Sequence, residues 1–254
     1  DLKRVAERTS GFSGADLENL LNEAAILAAR KDRKEIINED IFEAIEKVMI
    51  GPARKSRVIT DKEKKITAYH EAGHAIVAHF LPHTDPVQKI SIISRGQAGG
   101  YTIKVPLEDR NMHSRAEFLE EMSVLLAGHV AEQTVFGEVT TGATSDLRRA
   151  TAIARSLITD YGMSETLGPR TFGEKEEMIF LGREIHEQRD YSEKVAEKID
   201  EEIASLIAQA QAKAGEIVSF RRAELDRVTD ALIARETLEK EEFEAIVGVK
   251  PPVD

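Results

Sequence analysis

His70, Glu71 and His74 stand in the order His70-Glu71-Ala72-Gly73-His74, and their spacing gives them a shared chemistry. On a helix, residues four apart project from one face with about 40° between them, so both imidazoles can reach a single ion. Glu71 then lies on the flank, unable to share that coordination position but close enough to touch a water on the ion. Two histidines, one further protein ligand and a water make a tetrahedral set without d-electron preference, which suits zinc. Zinc polarises a scissile carbonyl and lowers the pKa of its water toward neutrality; Glu71 can accept that proton and return it to a leaving amine. Peptide hydrolysis is the chemistry these residues point to.

Three fixed positions in five make a short pattern, so its setting decides. Thr60 and Glu63 have capping-box spacing, and the helix they open should run to about Phe80 and end before Pro82. Ile66, Tyr69, Ala72, Ala75, Ile76 and Val77 are apolar enough to bury that helix, and small Ala72 and Gly73 should leave room beside a metal. Two buried histidines and a buried glutamate would be costly to desolvate without an ion. A chance motif on an exposed face is therefore the weaker reading. His79 and His83 turn off the shared face and read as structural.

The third ligand is less direct. A longer zinc pattern needs glycine at position 77 and histidine at 80; the chain has Val77 and Phe80. With no cysteine in the sequence, thiolate ligands and disulfides are excluded together. The remaining acids on predicted helices include Glu117, Glu120, Glu121, Glu132 and Asp146. Asp146 follows Thr140-Thr141-Gly142-Ala143-Thr144 in the first turn of its helix, where a loop can deliver it to a distant site. Glu132, among Leu125, Leu126, Ala127, Val130 and Ala131, would be partly buried and is also plausible. Chemistry alone favours Asp146, then Glu132, and leaves the other acids open. His129 reads as structural, with a supporting role beside the ligands as its alternative. The strand from Tyr101 to Val105 is either an edge that pairs with an extended peptide or an ordinary covered strand.

Positioning these groups falls mostly to helices. Residues 1 to 48 read as three or four short helices: Ser13 to Asp16 opens one, and Asn38 should cap the next. The pattern stops at Gly51-Pro52, and Arg54-Lys55-Ser56-Arg57 reads as an exposed connector. Val87 to Ile93 and Gly99 to Val105 are the convincing strands. Helices follow from Ser114 to Val135 and from about Ser145 to Tyr161, then from 191 to 213 with a break near Gly215. Leu225 to Leu232 and Glu241 to Ile246 continue the helical theme. Gly248 to Asp254 reads as a tail. The expected fold is mainly α with a small β element. The net charge of −11, from 46 acidic and 35 basic residues, argues against nucleic acid as a partner. No run of about 18 apolar residues is present, so these residues should be soluble. Opening at Asp1 without methionine, the chain reads as a fragment of something longer.

His70-Glu71-Ala72-Gly73-His74 together with Thr141-Gly142-Ala143-Thr144-Ser145-Asp146-Leu147 resembles the membrane-anchored ATP-dependent zinc proteases known as FtsH or AAA proteases. Ser10-Gly11-Phe12-Ser13-Gly14-Ala15-Asp16-Leu17 and Asn22-Glu23-Ala24-Ala25 look like the helical lid of that family's ATPase domain. Gly51-Pro52-Ala53-Arg54-Lys55-Ser56 looks like its linker, and Leu126-Ala127-Gly128, Ala131-Glu132, Phe180-Leu181-Gly182-Arg183 and Tyr191-Ser192 also match. The resemblance covers nearly the whole chain. It implies a lid over residues 1–50, a linker over 51–59, a mainly helical zinc peptidase domain over 60–249 and a disordered tail over 250–254. It implies zinc held by His70, His74 and Asp146, with Glu71 as the catalytic glutamate and Glu132 in a supporting place. It further implies a homo-hexamer that cuts unfolded or membrane-extracted polypeptides, at the cytoplasmic side of a bacterial inner membrane or an equivalent organellar membrane. Gly14 and Ala15 would contact nucleotide, with ATP and Mg²⁺ bound only in the full-length protein.

Some positions depart from the family pattern. His129 stands where arginine is common, Gly99-Gly100 where Leu-Gly is common, and Thr144-Ser145-Asp146 where Ser-Asn-Asp is familiar. None removes a catalytic group. A Gly-rich phosphate loop ending in Lys-Ser/Thr, a pore loop and a membrane helix are not found in these residues, so they should not hydrolyse ATP by themselves. That absence, with the acidic helices from 184 to 247, supports a competing reading as a non-catalytic assembly module.

Overall fold

The structure is a computed structural model that describes residues 1–54, 59–106, 112–173 and 190–250. Lys55, Ser56 and Arg57 of the expected linker, the Phe180-Leu181-Gly182-Arg183 segment, the start of the acidic stretch at 184 and tail residues 251–254 lie outside them. The described residues are mainly helical with one small sheet, as expected.

Three helices form the N-terminal module: α1 (Leu2–Arg8), α2 (Gly14–Arg30) and α3 (Asn38–Ile50). The Ser13 hydroxyl accepts from the Asp16 N–H at 3.2 Å while the Asp16 carboxylate accepts from the Ser13 N–H at 2.9 Å, which closes the start of α2. Leu20, Ala24, Ala44 and Ile45 form the small core between α2 and α3. Asn38 does not cap α3. It is the first helical residue, and its side chain accepts from the Asp1 amino group at 2.8 Å. The cap residue is Ile37, whose N–H is taken at 3.4 Å by the Asp40 carboxylate from inside the first turn.

Helix α4 (Asp61–Phe80) carries the His70 motif. Thr60 accepts from the Glu63 N–H at 3.2 Å at its start, and Leu81 ends it just before Pro82, as its caps predict. It is buried between α5 (Arg115–Phe136), α8 (Arg222–Arg235) and strand β1 (Val87–Ser91), with Ile76, Val124, Leu225 and Val228 in one core. The space at Gly73 serves α5 rather than a metal: a Cβ there would stand 2.8 Å from both the Ala127 carbonyl oxygen and the Ala131 Cβ. On the other side of α5, α6 (Thr144–Thr159) and α7 (Glu193–Phe220) close a second core around Met122, Leu126, Leu157 and Ile199. Helix α7 does not break at Gly215. A mid-helix glycine costs about 1 kcal/mol, whereas burying a flanking valine such as Val218 returns about 1.5–3 kcal/mol. Ala214 and Val218 are fully buried, and the turn comes instead at Arg221.

The sheet holds a strand the sequence reading did not expect. β3 (Thr237–Glu239) follows Glu236, whose left-handed φ of 63° ends α8, and three residues are too few for alternation to register. The strand order is β2 (Tyr101–Lys104), β1, β3, both pairs antiparallel, with Ile90 opposite Thr102 on one side and Leu238 on the other. Among the described residues, no strand pairs with the outer edge of β2. A final helix, α9 (Lys240–Val247), packs over β3. Lys250, expected in the tail, is tied down: its Nζ donates to the carbonyls of Ala78 at 2.7 Å and Thr84 at 2.5 Å, capping the C-terminal end of α4.

The connector after α3 also docks. Arg54 N–H donates to the Ser94 carbonyl at 2.8 Å and Gly96 N–H to the Pro52 carbonyl at 3.2 Å. Gly96 has a φ of 53°, and a Cβ there would stand 2.3 Å from the Ile50 carbonyl oxygen, so this crossing needs glycine.

His79 is structural, as expected. It lies edge-on to Phe80 and Phe243, with ring centroids 4.9 and 5.4 Å away. Burial, reinforced by the cations of Lys250 and Arg221, pushes its pKa down to about 4. In the unfolded chain a histidine titrates near about 6.5. Between these values the unfolded state binds the proton and the folded state does not. This contribution is therefore complete above the unfolded value and is lost as pH falls toward the folded one. In zinc-free protein, His79→Leu is expected to lose less thermal stability than the parent between pH 7 and pH 5; equal losses in a melting series would contradict this.

Candidate metal centre

Helix α4 presents His70 and His74 on one face, and a 3₁₀ turn at Thr141–Ala143 delivers Asp146 to them from the first turn of α6. The Thr140 hydroxyl accepts from the Gly142 N–H at 3.2 Å, and the Thr144 hydroxyl donates to the Thr141 carbonyl at 2.7 Å, which fixes that turn. The two Nε2 atoms are 3.0 Å apart, and Asp146 Oδ2 is 3.5 Å from that of His70 and 3.6 Å from that of His74. A point equidistant from these three atoms is about 2.0 Å from each, the length of a zinc–nitrogen or zinc–oxygen bond. Among the described residues, these three side chains form the one group of histidines and acids able to close on a metal.

The hydrogen bonds behind the rings decide where the lone pairs point. His74 Nδ1 lies 2.7 Å from the Val124 carbonyl oxygen, which can only accept, so Nδ1 carries the hydrogen and Nε2 the lone pair. His70 Nδ1 lies 2.7 Å from Glu132 Oε1, which assigns the same tautomer to a neutral His70. Two lone pairs and a carboxylate oxygen then converge, and only positive charge relieves them. The electrostatic surroundings of the two groups point the same way. Burial opposes a charged His70, yet Asp146 and Glu132 outweigh it and raise its pKa to about 10. Burial likewise opposes a charged Asp146, while hydrogen bonds from His70 and His74 hold its carboxyl well below the usual carboxylate range. All-nitrogen-and-oxygen donors of this kind fit zinc.

Glu71 sits beside this cluster, 6 % exposed, between the helix and the start of β2. The Thr102 hydroxyl donates to its Oε2 at 2.9 Å. Burial pushes the Glu71 carboxyl up; the charges of His74 and His70 and the Thr102 hydrogen bond pull the other way. A carboxylate raised by burial next to a metal position is suited to taking up a proton. The group opens onto a cleft of about 820 Å³ whose walls include Ile66, Thr102, Lys104, Glu121, Leu125 and Arg149.

The candidate acids separate clearly. Glu132 is 1 % exposed and stands behind His70 rather than in front of it; its other oxygen accepts from the Thr140 N–H at 2.7 Å, joining the ring's support to the loop that carries Asp146. Glu120 pairs with His83 at 2.8 Å, and Glu121 with Lys104 at 2.5 Å. His129 does not line the cleft; neither do Gly14 and Ala15, at the start of α2. Spacing gave no hint of the Val124 carbonyl or of Thr102 as a partner of Glu71. A backbone acceptor has no sequence signature, and a cross-element hydrogen bond has no period.

Gly128 was legible only as part of the Leu-Ala-Gly match, yet a Cβ there would lie 2.4 Å from His70 Cε1 and 2.5 Å from its Nε2. The ring lies against the bare backbone of α5. Overpacking of this kind costs about 1–3 kcal/mol, so Gly128→Ala is expected to weaken zinc binding roughly 10- to 100-fold without loss of helix. A competition titration giving parental affinity would contradict the contact.

Residues 57–246 match peptidase family M41, and residues 1–44 match the AAA+ lid domain. The chain is 54% identical over 252 residues to the ATP-dependent zinc metalloprotease FtsH 1 of Sphaerobacter thermophilus, an alignment covering 99% of this chain and 39% of that protein. It is 53% identical over 252 residues to the protein of the same name from Thermomicrobium roseum, with the same coverage. Against the ATP-dependent zinc metalloprotease FtsH of Caldicellulosiruptor bescii it is 53% identical over 247 residues, 97% of this chain and 40% of the relative. The chain thus spans about two fifths of the length of these curated relatives. With a match across most of its length and a metal-binding geometry to accompany it, this chain belongs to peptidase family M41.

Proposed function

We propose that this chain is the proteolytic part of an ATP-dependent zinc protease, with His70, His74 and Asp146 as the zinc ligands and Glu71 as the general base. The observation that carries it is the convergence of three lone-pair atoms on one point, with a buried carboxylate alongside and a cleft in front. A bound zinc ion supplies Lewis acidity toward a peptide carbonyl and makes water acidic enough to react near neutral pH. Glu71 takes the proton of the attacking water and hands it to the departing amine. Asp146 and the two Nε2 atoms hold the ion; Glu132 and the Val124 carbonyl keep the rings turned toward it. The outer edge of β2 beside Glu71, which no strand among the described residues covers, offers backbone groups to an extended peptide.

In the same reading, residues 1–50 act as the lid of an ATPase, 51–59 as the linker, 60–249 as the peptidase domain and 250–254 as a tail, with Lys250 still attached to the peptidase domain. The matches to the lid and peptidase families support this division. Gly14 and Ala15 would meet ATP and Mg²⁺ in the complete protein. The assembly would be a homo-hexamer that receives unfolded or membrane-extracted polypeptides. Exposed Leu17 and Leu21 on α2 give it apolar surface to use. Among the described residues, no helix is long and apolar enough to cross a membrane, so a membrane tether would come from residues other than these.

Purified protein loaded with zinc should hold about one ion per chain, and Glu71→Gln should keep the ion while losing about 10²- to 10⁴-fold in casein cleavage. Loss of the supporting carboxylate in Glu132→Gln should cost about 10- to 100-fold in zinc affinity, and Asp146→Asn more. A Glu71→Gln variant as fast as the parent, or equal zinc affinities for the two other variants, would overturn the assignment.

A further inference from the structure

Residues Gly100, Tyr101 and Thr102 divide their attention between two parts of the molecule. Successive residues of a strand face opposite ways. Gly100 and Thr102 face Glu71: a Cβ on Gly100 would stand 2.8 Å from both Glu71 Cγ and Oε1, and the Thr102 hydroxyl reaches Oε2 at 2.9 Å. The Glu71 side chain is thus confined from one side by bare backbone and held from another by a hydroxyl.

Tyr101, between them, faces the N-terminal module. Its hydroxyl donates to Glu46 Oε2 of α3 at 2.9 Å and accepts from Arg95 Nε at 3.1 Å. Glu46 is 1 % exposed and also meets Arg95 at 2.8 Å and Lys89 Nζ at 2.5 Å, while Arg95 reaches Glu43 of the same helix at 2.8 Å. Buried ion pairs of this kind are costly to break by one partner and so behave as fixed points. The strand segment beside Glu71 is therefore bolted to α3 through Tyr101, whose hydroxyl bonds Glu46 and Arg95.

We propose that Thr102 is a positioning residue for Glu71, and that α3, through Glu46 and Tyr101, holds the strand segment that places it. This rests on Glu71 being the general base as far as catalysis is concerned; the hydrogen-bond coupling itself does not. A displacement of α3 would reach the carboxylate through a chain of direct contacts, Glu46 to Tyr101 to the neighbouring Thr102 to Glu71. The N-terminal module then sets catalytic geometry as well as adjoining the peptidase domain.

Two readouts test it. In zinc-loaded protein cleaving casein, Thr102→Val should lower kcat about 10- to 100-fold with one zinc per chain and KM within about twofold, and Thr102→Ser should recover most of the loss. Tyr101→Phe should lower kcat in the same direction by about threefold or more. In zinc-free protein, a melting-temperature cycle of Thr102→Val with Glu71→Ala should be non-additive, and that coupling should shrink in a Tyr101→Phe background. Additive shifts, a parental kcat for Thr102→Val, or loss of zinc from that variant would overturn the positioning role. Undiminished coupling in Tyr101→Phe would overturn the part played by α3. A parent that binds zinc and cleaves nothing would refute the proposed proteolytic function, while the melting cycle would still decide whether Thr102 and Tyr101 hold Glu71.

Discussion

Helices α4 and α5 can lie as close as they do because Gly73 and Gly128 bring no side chains to the contact, and the candidate metal centre is a consequence of that approach. At Gly73 the two backbones nearly touch; at Gly128 the His70 ring lies on the bare helix. The same helix α5 then supplies Glu132 to His70 and the Val124 carbonyl to His74. One packing contact thereby fixes the position of both rings, their tautomers and the direction of their lone pairs. Separating the helices by even a methyl group would disturb all three together.

Around that contact, acids are arranged so that positive charge is favoured on and between the two rings. Glu132 faces the outer edge of His70, Asp146 its inner edge, and Glu71 is buried beside them. Three acids crowded around two largely buried histidines would repel one another without a cation. Glu132 also ties the ring to the loop after α5 through Thr140, so the element bearing Asp146 is anchored to the element bearing the histidines.

The local features were legible in the sequence because they depend on neighbours in the chain. Thr60 with Glu63, Pro82 and the four-residue spacing of His70 and His74 are local facts, and α4 follows from them. Asp146 beside the two rings was one of several acids that chemistry left open, with Glu132 its main rival, since a loop sets its distance; the family resemblance selected it. The misses have more than one cause. β3 is too short to show a period, Gly215 is overridden by burial of Ala214 and Val218, and the cap of α3 is made by Asp40 from within the helix. Room expected beside the metal at Gly73 belongs to α5. At Gly215 and Gly73 a tertiary contact outweighed a local preference, whereas β3 and the start of α3 lacked a readable local signal.

The proposed roles of His70, His74, Asp146 and Glu71 all depend on the position of one ion. Diffraction data recorded on both sides of the zinc absorption edge from zinc-loaded crystals test it most directly. A single anomalous peak is expected about 2.0–2.2 Å from His70 Nε2, His74 Nε2 and an Asp146 carboxylate oxygen, with Glu132 bonded to His70 and the Thr140 N–H and not to the ion. A peak coordinated by Glu132 in place of Asp146, or none between the two histidines, would contradict it.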